Sequence, residues 1–141
     1  MKSSLRVTDP AEISKVVERV HDCWLDAASI QFDSVASTVS IRYLKGTKPS
    51  SPFVNRIRFP AAECFLKISG ATSLSVQDKE KIRFYDINTV TYDPASMCVE
   101  VRTGIPIGIQ VVVNTLDISI EETGNVVSYG GGVEPAKFQN D

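Results

Sequence analysis

The chain has 141 residues, 43% of them hydrophobic and 23% charged, a formal net charge of −2 and a pI near 5.4. That length predicts one domain able to bury a core without disulfides or metal. The composition excludes a disordered chain, and no apolar run is long enough to cross a bilayer as a helix.

The charge is unevenly placed. Residues 1–70 carry ten Lys/Arg against seven Asp/Glu, and residues 71–141 carry five against ten. Between Asp33 and Glu63 there is no acid, while Arg42, Lys45, Lys48, Arg56 and Arg58 are basic. This stretch is the candidate anion-attracting surface. The first residues lack the apolar core of a signal peptide, and Cys23, Cys64 and Cys98 are odd in number and widely spaced. Both features predict a cytoplasmic location with reduced thiols.

In chain order, Asp9-Pro10-Ala11-Glu12 is a helix start: a capping residue, Pro at the first helical position and an acid in the first turn. Ile13, Val16, Val17, Val20 and Trp24 then recur at helical spacing. They predict a helix over residues 10–22 with Trp24 buried on its apolar stripe.

Residues 24–42 and 84–102 are two copies of one pattern. Trp24, Asp26, Phe32, Asp33, Val39, Ile41 and Arg42 correspond to Phe84, Asp86, Tyr92, Asp93, Val99, Val101 and Arg102. Each copy predicts a hairpin with a four-residue loop, 34–37 and 94–97, setting Phe32 opposite Val39 and Tyr92 opposite Val99. Asp33 and Asp93 stand where an Asp side chain caps a turn.

The Pro- and Ser-rich residues 45–52 predict an exposed loop. Period-two alternation predicts strands at 28–33, 38–44, 53–59, 64–69, 88–93, 97–103, 106–113 and 116–122, with a short one at 73–76. A two-residue turn at Asn114-Thr115 would pair Val113 with Leu116 and Val111 with Ile118. The fold expected is mostly β (α+β): an N-terminal helix packed on two related antiparallel meanders, as a sandwich or open barrel. Residues 1–129 form the domain, and the glycine-rich residues 130–141 read as a flexible tail.

No motif fixes a reaction. His21 is the only histidine. Catalysis would require the fold to bring it a thiol or a carboxylate. On a helix, His21, Asp22 and Cys23 point in different directions. No cofactor is implied, and one His with scattered Cys gives no metal-ligand spacing. Cys64 lies on an apolar strand phase, whereas Cys98 lies on a polar one and is the thiol expected to react. Asp26, Asp33, Asp86 and Asp93 read as turn chemistry, and Arg42 and Arg102 as outward strand charges.

Three readings follow. The first is a small cytoplasmic protein-interaction module, an inhibitor or immunity-type protein, using Arg42, Lys45, Lys48, Arg56 and Arg58. Its partner would be another protein or a small anion, rather than nucleic acid or a membrane. The second is a small-molecule-binding β module. The third is an enzyme using His21 with a thiol or carboxylate.

Overall fold

A computed structural model of the chain describes residues 4–46, 58–105 and 107–130. The apolar stripe forms helix α1 (Ile13–Val20), entered through a 3-10 turn (Pro10–Glu12). Asp9 caps that turn by accepting the Ala11 N–H at 2.9 Å. Val16 and Val20 are fully buried. The helix stops two residues before its expected end, because His21 turns extended and Asp22 takes a left-handed φ of 66°. Trp24 therefore leaves the stripe. It stands in a strand, half-buried, with its ring against Gly46.

Ten strands follow the period-two pattern: β1 (Ser4–Val7), β2 (Trp24–Asp26), β3 (Gln31–Asp33), β4 (Thr38–Gly46), β5 (Arg58–Ser69), β6 (Ala71–Gln77), β7 (Phe84–Asp93), β8 (Cys98–Thr103), β9 (Gly108–Val113) and β10 (Ile118–Gly130). They form one antiparallel sheet in the order β1-β10-β5-β4-β2-β7-β8-β9-β6, with β3 paired to β4, and the sheet does not close into a barrel. Inward side chains from both halves of this order form a single core.

The two hairpins have the same register. Phe32 is opposite Val39 in β3–β4, and Tyr92 is opposite Val99 in β7–β8. Asp33 accepts the Val35 and Ala36 N–H groups, and Asp93 accepts that of Ala95. Between the hairpins, β2 pairs with β7, setting Leu25 directly opposite Tyr85. Leu25 and Tyr85 lie sixty positions apart, the same spacing that separates the two hairpins. The first copy is interrupted by a 3-10 turn at Ala27–Ser29, which replaces the start of the expected strand 28–33.

The chain departs from the expected meanders at two linked places. The strand expected over 64–69 begins earlier: β5 runs unbroken from Arg58 to Ser69, while residues 53–57 lie outside the described residues. And β9 does not fold back on β10. Instead β9 pairs with β6, and β10 pairs with β5 and β1. Both strand pairs cross between the halves at one corner, where Asn114 donates to the Gly70 carbonyl and Ser69 to the Asp117 carbonyl. Alternation alone does not separate the two outcomes, because a hairpin and a crossing put the same residues inward. The corner favours the crossing, since Gly70 sits at φ +70° and bends the ribbon.

A Cβ at Gly70 would come within 2.7 Å of the Asn114 side-chain oxygen. Gly70→Ala should therefore lower stability by about 1–3 kcal/mol. Gly104→Ala, where a Cβ would meet nothing nearer than 3.9 Å, should cost less than about 0.5 kcal/mol. Urea denaturation of the two variants checks the difference.

Candidate functional site

Buried charge gathers around Asp26, which is 2% exposed. Its carboxylate accepts from Arg83 at 3.0 and 3.2 Å, from Arg42 at 3.3 Å and from the Ala28 N–H at 3.0 Å. Arg42 also donates to Glu63 at 2.7 Å. The other Glu63 oxygen accepts from the Thr123 hydroxyl at 2.9 Å and the Asn125 amide at 3.0 Å. Two acids and two arginines thus tie β2, β4, β5, β10 and the segment leading into β7. Burial, the largest influence on Glu63, would raise its pKa, but the hydrogen bonds from Arg42, Asn125 and Thr123 and the Arg42 charge outweigh it. The carboxyl is held below its ordinary value.

The loop before β7 is strained: Lys81 has φ 53° and Arg83 φ 93°. Asp78 steadies it by accepting the Lys81 N–H and the Tyr85 hydroxyl, whose oxygen accepts the Ile82 N–H. Ala27, Ala28, Asp78, Lys81 and Arg83 line an open cleft of about 230 Å³. A second open cleft, of about 280 Å³, lies between Arg102 and Gly108, where β8 and β9 diverge.

Of the expected docking charges, Arg42 and Lys45 have described side chains. Arg42 is no outward charge: its side chain is 11% exposed and engaged by two carboxylates. Lys45 is exposed near the end of β4. Lys48 and Arg56 lie outside the described residues, and Arg58 opens β5 opposite Gly130. Arg102 does point outward and pairs with Glu100 at 3.1 Å.

His21 sits just past α1. Its Nδ1 donates to the Asn88 carbonyl at 2.8 Å, and its Nε2 lies 3.5 Å from Asp22. The contact with Asp22 was not expected; it forms because the helix has already ended. Among the described residues, His21 makes no hydrogen bond or ion pair with a thiol or with Asp26. No group of three His, Cys, Asp or Glu side chains among them is placed to hold a metal ion.

The thiols are quiet. Burial pushes Cys23 up to about 12 and raises Cys64, which is equally enclosed. Cys98, expected to be reactive, is only half-exposed, and burial raises its pKa too.

The sheet ends in contrasting ways. The edge strand β1 is four residues long and contains Arg6, which pairs with Asp117 at 2.9 Å. Arg19 donates to its Ser4 carbonyl at 3.4 Å. The opposite edge, β6, is seven residues long, Ala-Thr-Ser-Leu-Ser-Val-Gln, with no charge and no proline, and among the described residues it pairs only with β9. Sequence reading found a strand at 73–76. Its edge position comes from the crossing at Gly70, which no local signal encodes. Glu63 and Arg83 were missed for the same reason: their partners come from distant strands. Among the described residues, no helix is long and apolar enough to cross a membrane. Compared with protein-family models, curated proteins and solved structures, the chain matches none.

Two outcomes follow. A lowered folded pKa contributes stability above the unfolded value, and that stability is lost as pH falls through the folded one. Stability should therefore decline as pH drops below about 4.5. Glu63→Gln should be less stable at neutral pH and show a shallower acid limb in denaturation series. A thiol reagent at about pH 8 should label native protein slowly and at Cys98 first, because little thiolate is present. Cys23 and Cys64 should react only on unfolding, which mass mapping reads directly.

Proposed function

We propose that this protein is a protein-interaction module that accepts an extended segment of another protein along β6. The observation that carries this reading is the unguarded edge. Sheet proteins blunt exposed edges with charge, proline, short length or a covering element, because unpaired N–H and C=O groups template further pairing. Among the described residues, β1 is blunted by Arg6 and Arg19 and β6 carries no such guard. Main-chain hydrogen bonds to an added strand supply affinity, and alternate side chains supply specificity.

The side chains of β6 suit that role. Ser73 and Ser75 lie beside Val112 and Gln110 on the outer face, while Leu74 and Val76 lie beside Val111 and Ile109 on the inner one. Leu74 packs on the core yet is only partly buried, and Val76 is 40% exposed. An added strand would extend the core over both. Lys45, with Lys48, Arg56 and Arg58, stands as the set of charges that steers a partner of opposite sign. An inhibitor or immunity-type role is the form such a module takes when the strand it captures is one its partner needs.

The test compares tagged wild-type protein with Ser73→Lys/Ser75→Lys in cells that express it. Proteins held by the wild type should be lost from the variant, because edge lysines oppose strand addition. Lys45→Glu/Lys48→Glu should slow association and reduce its salt dependence while keeping the same proteins. Retention of the same set by Ser73→Lys/Ser75→Lys would rule out β6 as the docking element.

A further inference from the structure

We infer that a second copy of this chain pairs with β6, joining two molecules into one continuous sheet about a two-fold axis at Leu74. The inference rests on the edge reading above and names its occupant.

The argument begins with the strand's sequence. Around Leu74, Thr72-Ser73-Leu74-Ser75-Val76 is nearly the same read in either direction. Serines flank the centre, and the outer pair, Thr and Val, have the same shape. An antiparallel strand is read in the opposite direction to its neighbour, so such a segment is complementary to itself. Pairing two copies about Leu74 sets Ser73 opposite Ser75 twice and Leu74 opposite Leu74; Thr72 stands outside this register, at a bulge where its hydroxyl donates to the Val112 carbonyl at 3.2 Å. Cross-strand pairs of serines and of β-branched or apolar residues are favourable, and like charges directly opposite are not. No charged residue lies between Ala71 and Gln77 to create such a clash.

Regular register with β9 begins at Ser73, so Ser73, Leu74 and Ser75 are the residues the geometry offers for pairing about Leu74. The Ala71 N–H is taken by the Ser37 carbonyl, so the loop 34–37 caps the start of the strand. At the other end, Asp78 turns the chain away through its bonds to Lys81 and Tyr85. Among the described residues, no strand pairs with the outer edge of residues 73–77 between these stops. Leu74 and Val76 share the inner face, and the Ser73 and Ser75 side chains are exposed on the other. In the pair, Leu74 would meet its own counterpart, with Val76 beside it on the same face. The half-exposed apolar side chains of the edge would thereby be covered.

Purified full-length chain, with no other protein present, is the material for the test. A strand pair this short is smaller than a standard interface of about 1,600 Å², so association is expected to be weak. Sedimentation equilibrium from about 10 µM to 1 mM should show the mass rising from 15.4 kDa toward twice that value. Ser73→Lys/Ser75→Lys puts Lys opposite Lys at two places and should weaken association at least about tenfold. Ser73→Glu/Ser75→Glu should do the same. Mixing the two variants puts Lys opposite Glu and should restore the dimer as a mixed species. Unchanged circular dichroism and melting show that both variants fold. A wild type that stays monomeric over the whole range overturns the inference, and so does a dimer that the Lys variant leaves intact. A mixture no more associated than either variant alone also overturns it, because the register would then be wrong. A monomer in isolation whose β6 still captures another protein in cells overturns the second copy as occupant and leaves the edge reading standing.

Discussion

The carboxylate of Asp26 is the constraint on which the arrangement of the halves depends. On the side of the molecule away from the Gly70 corner, the halves are joined by β2, which is only three residues long and must pair with β4 and β7 at once. Three residues contribute too few ladder hydrogen bonds to fix that position alone. Asp26 ends the strand and binds Arg42 from β4 and Arg83 from the approach to β7. Arg83 is held at φ 93°, a conformation that costs about 1–3 kcal/mol. Its two charge-assisted bonds to a buried carboxylate are together large enough to offset this. Such a network adds little net stability compared with an apolar core, because desolvation opposes the Coulomb gain. Its effect is to specify one place for β2. Losing one member would leave the others buried and uncompensated.

The second copy of the pattern does not build this site. Asp86 is exposed, and Arg102 pairs with Glu100 in its own strand. The difference lies in the partners. Glu63 holds Arg42 from β5, and Thr123 and Asn125 hold Glu63 from β10. Similar hairpins thus carry dissimilar chemistry, decided by what the rest of the chain lays beside them.

This explains what could and could not be read in advance. The hairpin registers, the helix start and the turn roles of Asp33 and Asp93 were legible, because each is set by residues within a few positions. The end of α1 was not. Val20 and Trp24 have helical spacing, yet the left-handed turn at Asp22 intervenes. The partners of β9 and β10 were not legible either, because alternation defines a face and not a neighbour. Arg42 failed as a solvent-facing residue for a related reason. The outward phase of β4 is covered there by the 3-10 turn that begins at Ala27, whose Ser29 hydroxyl accepts the Arg42 N–H at 2.8 Å. An outward phase becomes solvent only where nothing crosses it.

The contrast between the two edges sets which assemblies are open to the chain. If both ends of the sheet were bare, β6 of one molecule could add to β1 of the next, and that head-to-tail contact need not close. It would extend into a filament. The β1 edge is too short and too occupied for this, with Arg6 and Arg19 engaged along it. Among the described strands, that leaves β6 to pair with β6. That contact is isologous: it uses both bare edges at once and leaves a blunted β1 at each end of the enlarged sheet. An unguarded strand is an aggregation hazard when its complement recurs without limit. With one such strand among the described residues, complementary to itself, pairing stops at two molecules. The same bare edge that makes β6 a docking element is thus compatible with a protein that stays in small assemblies.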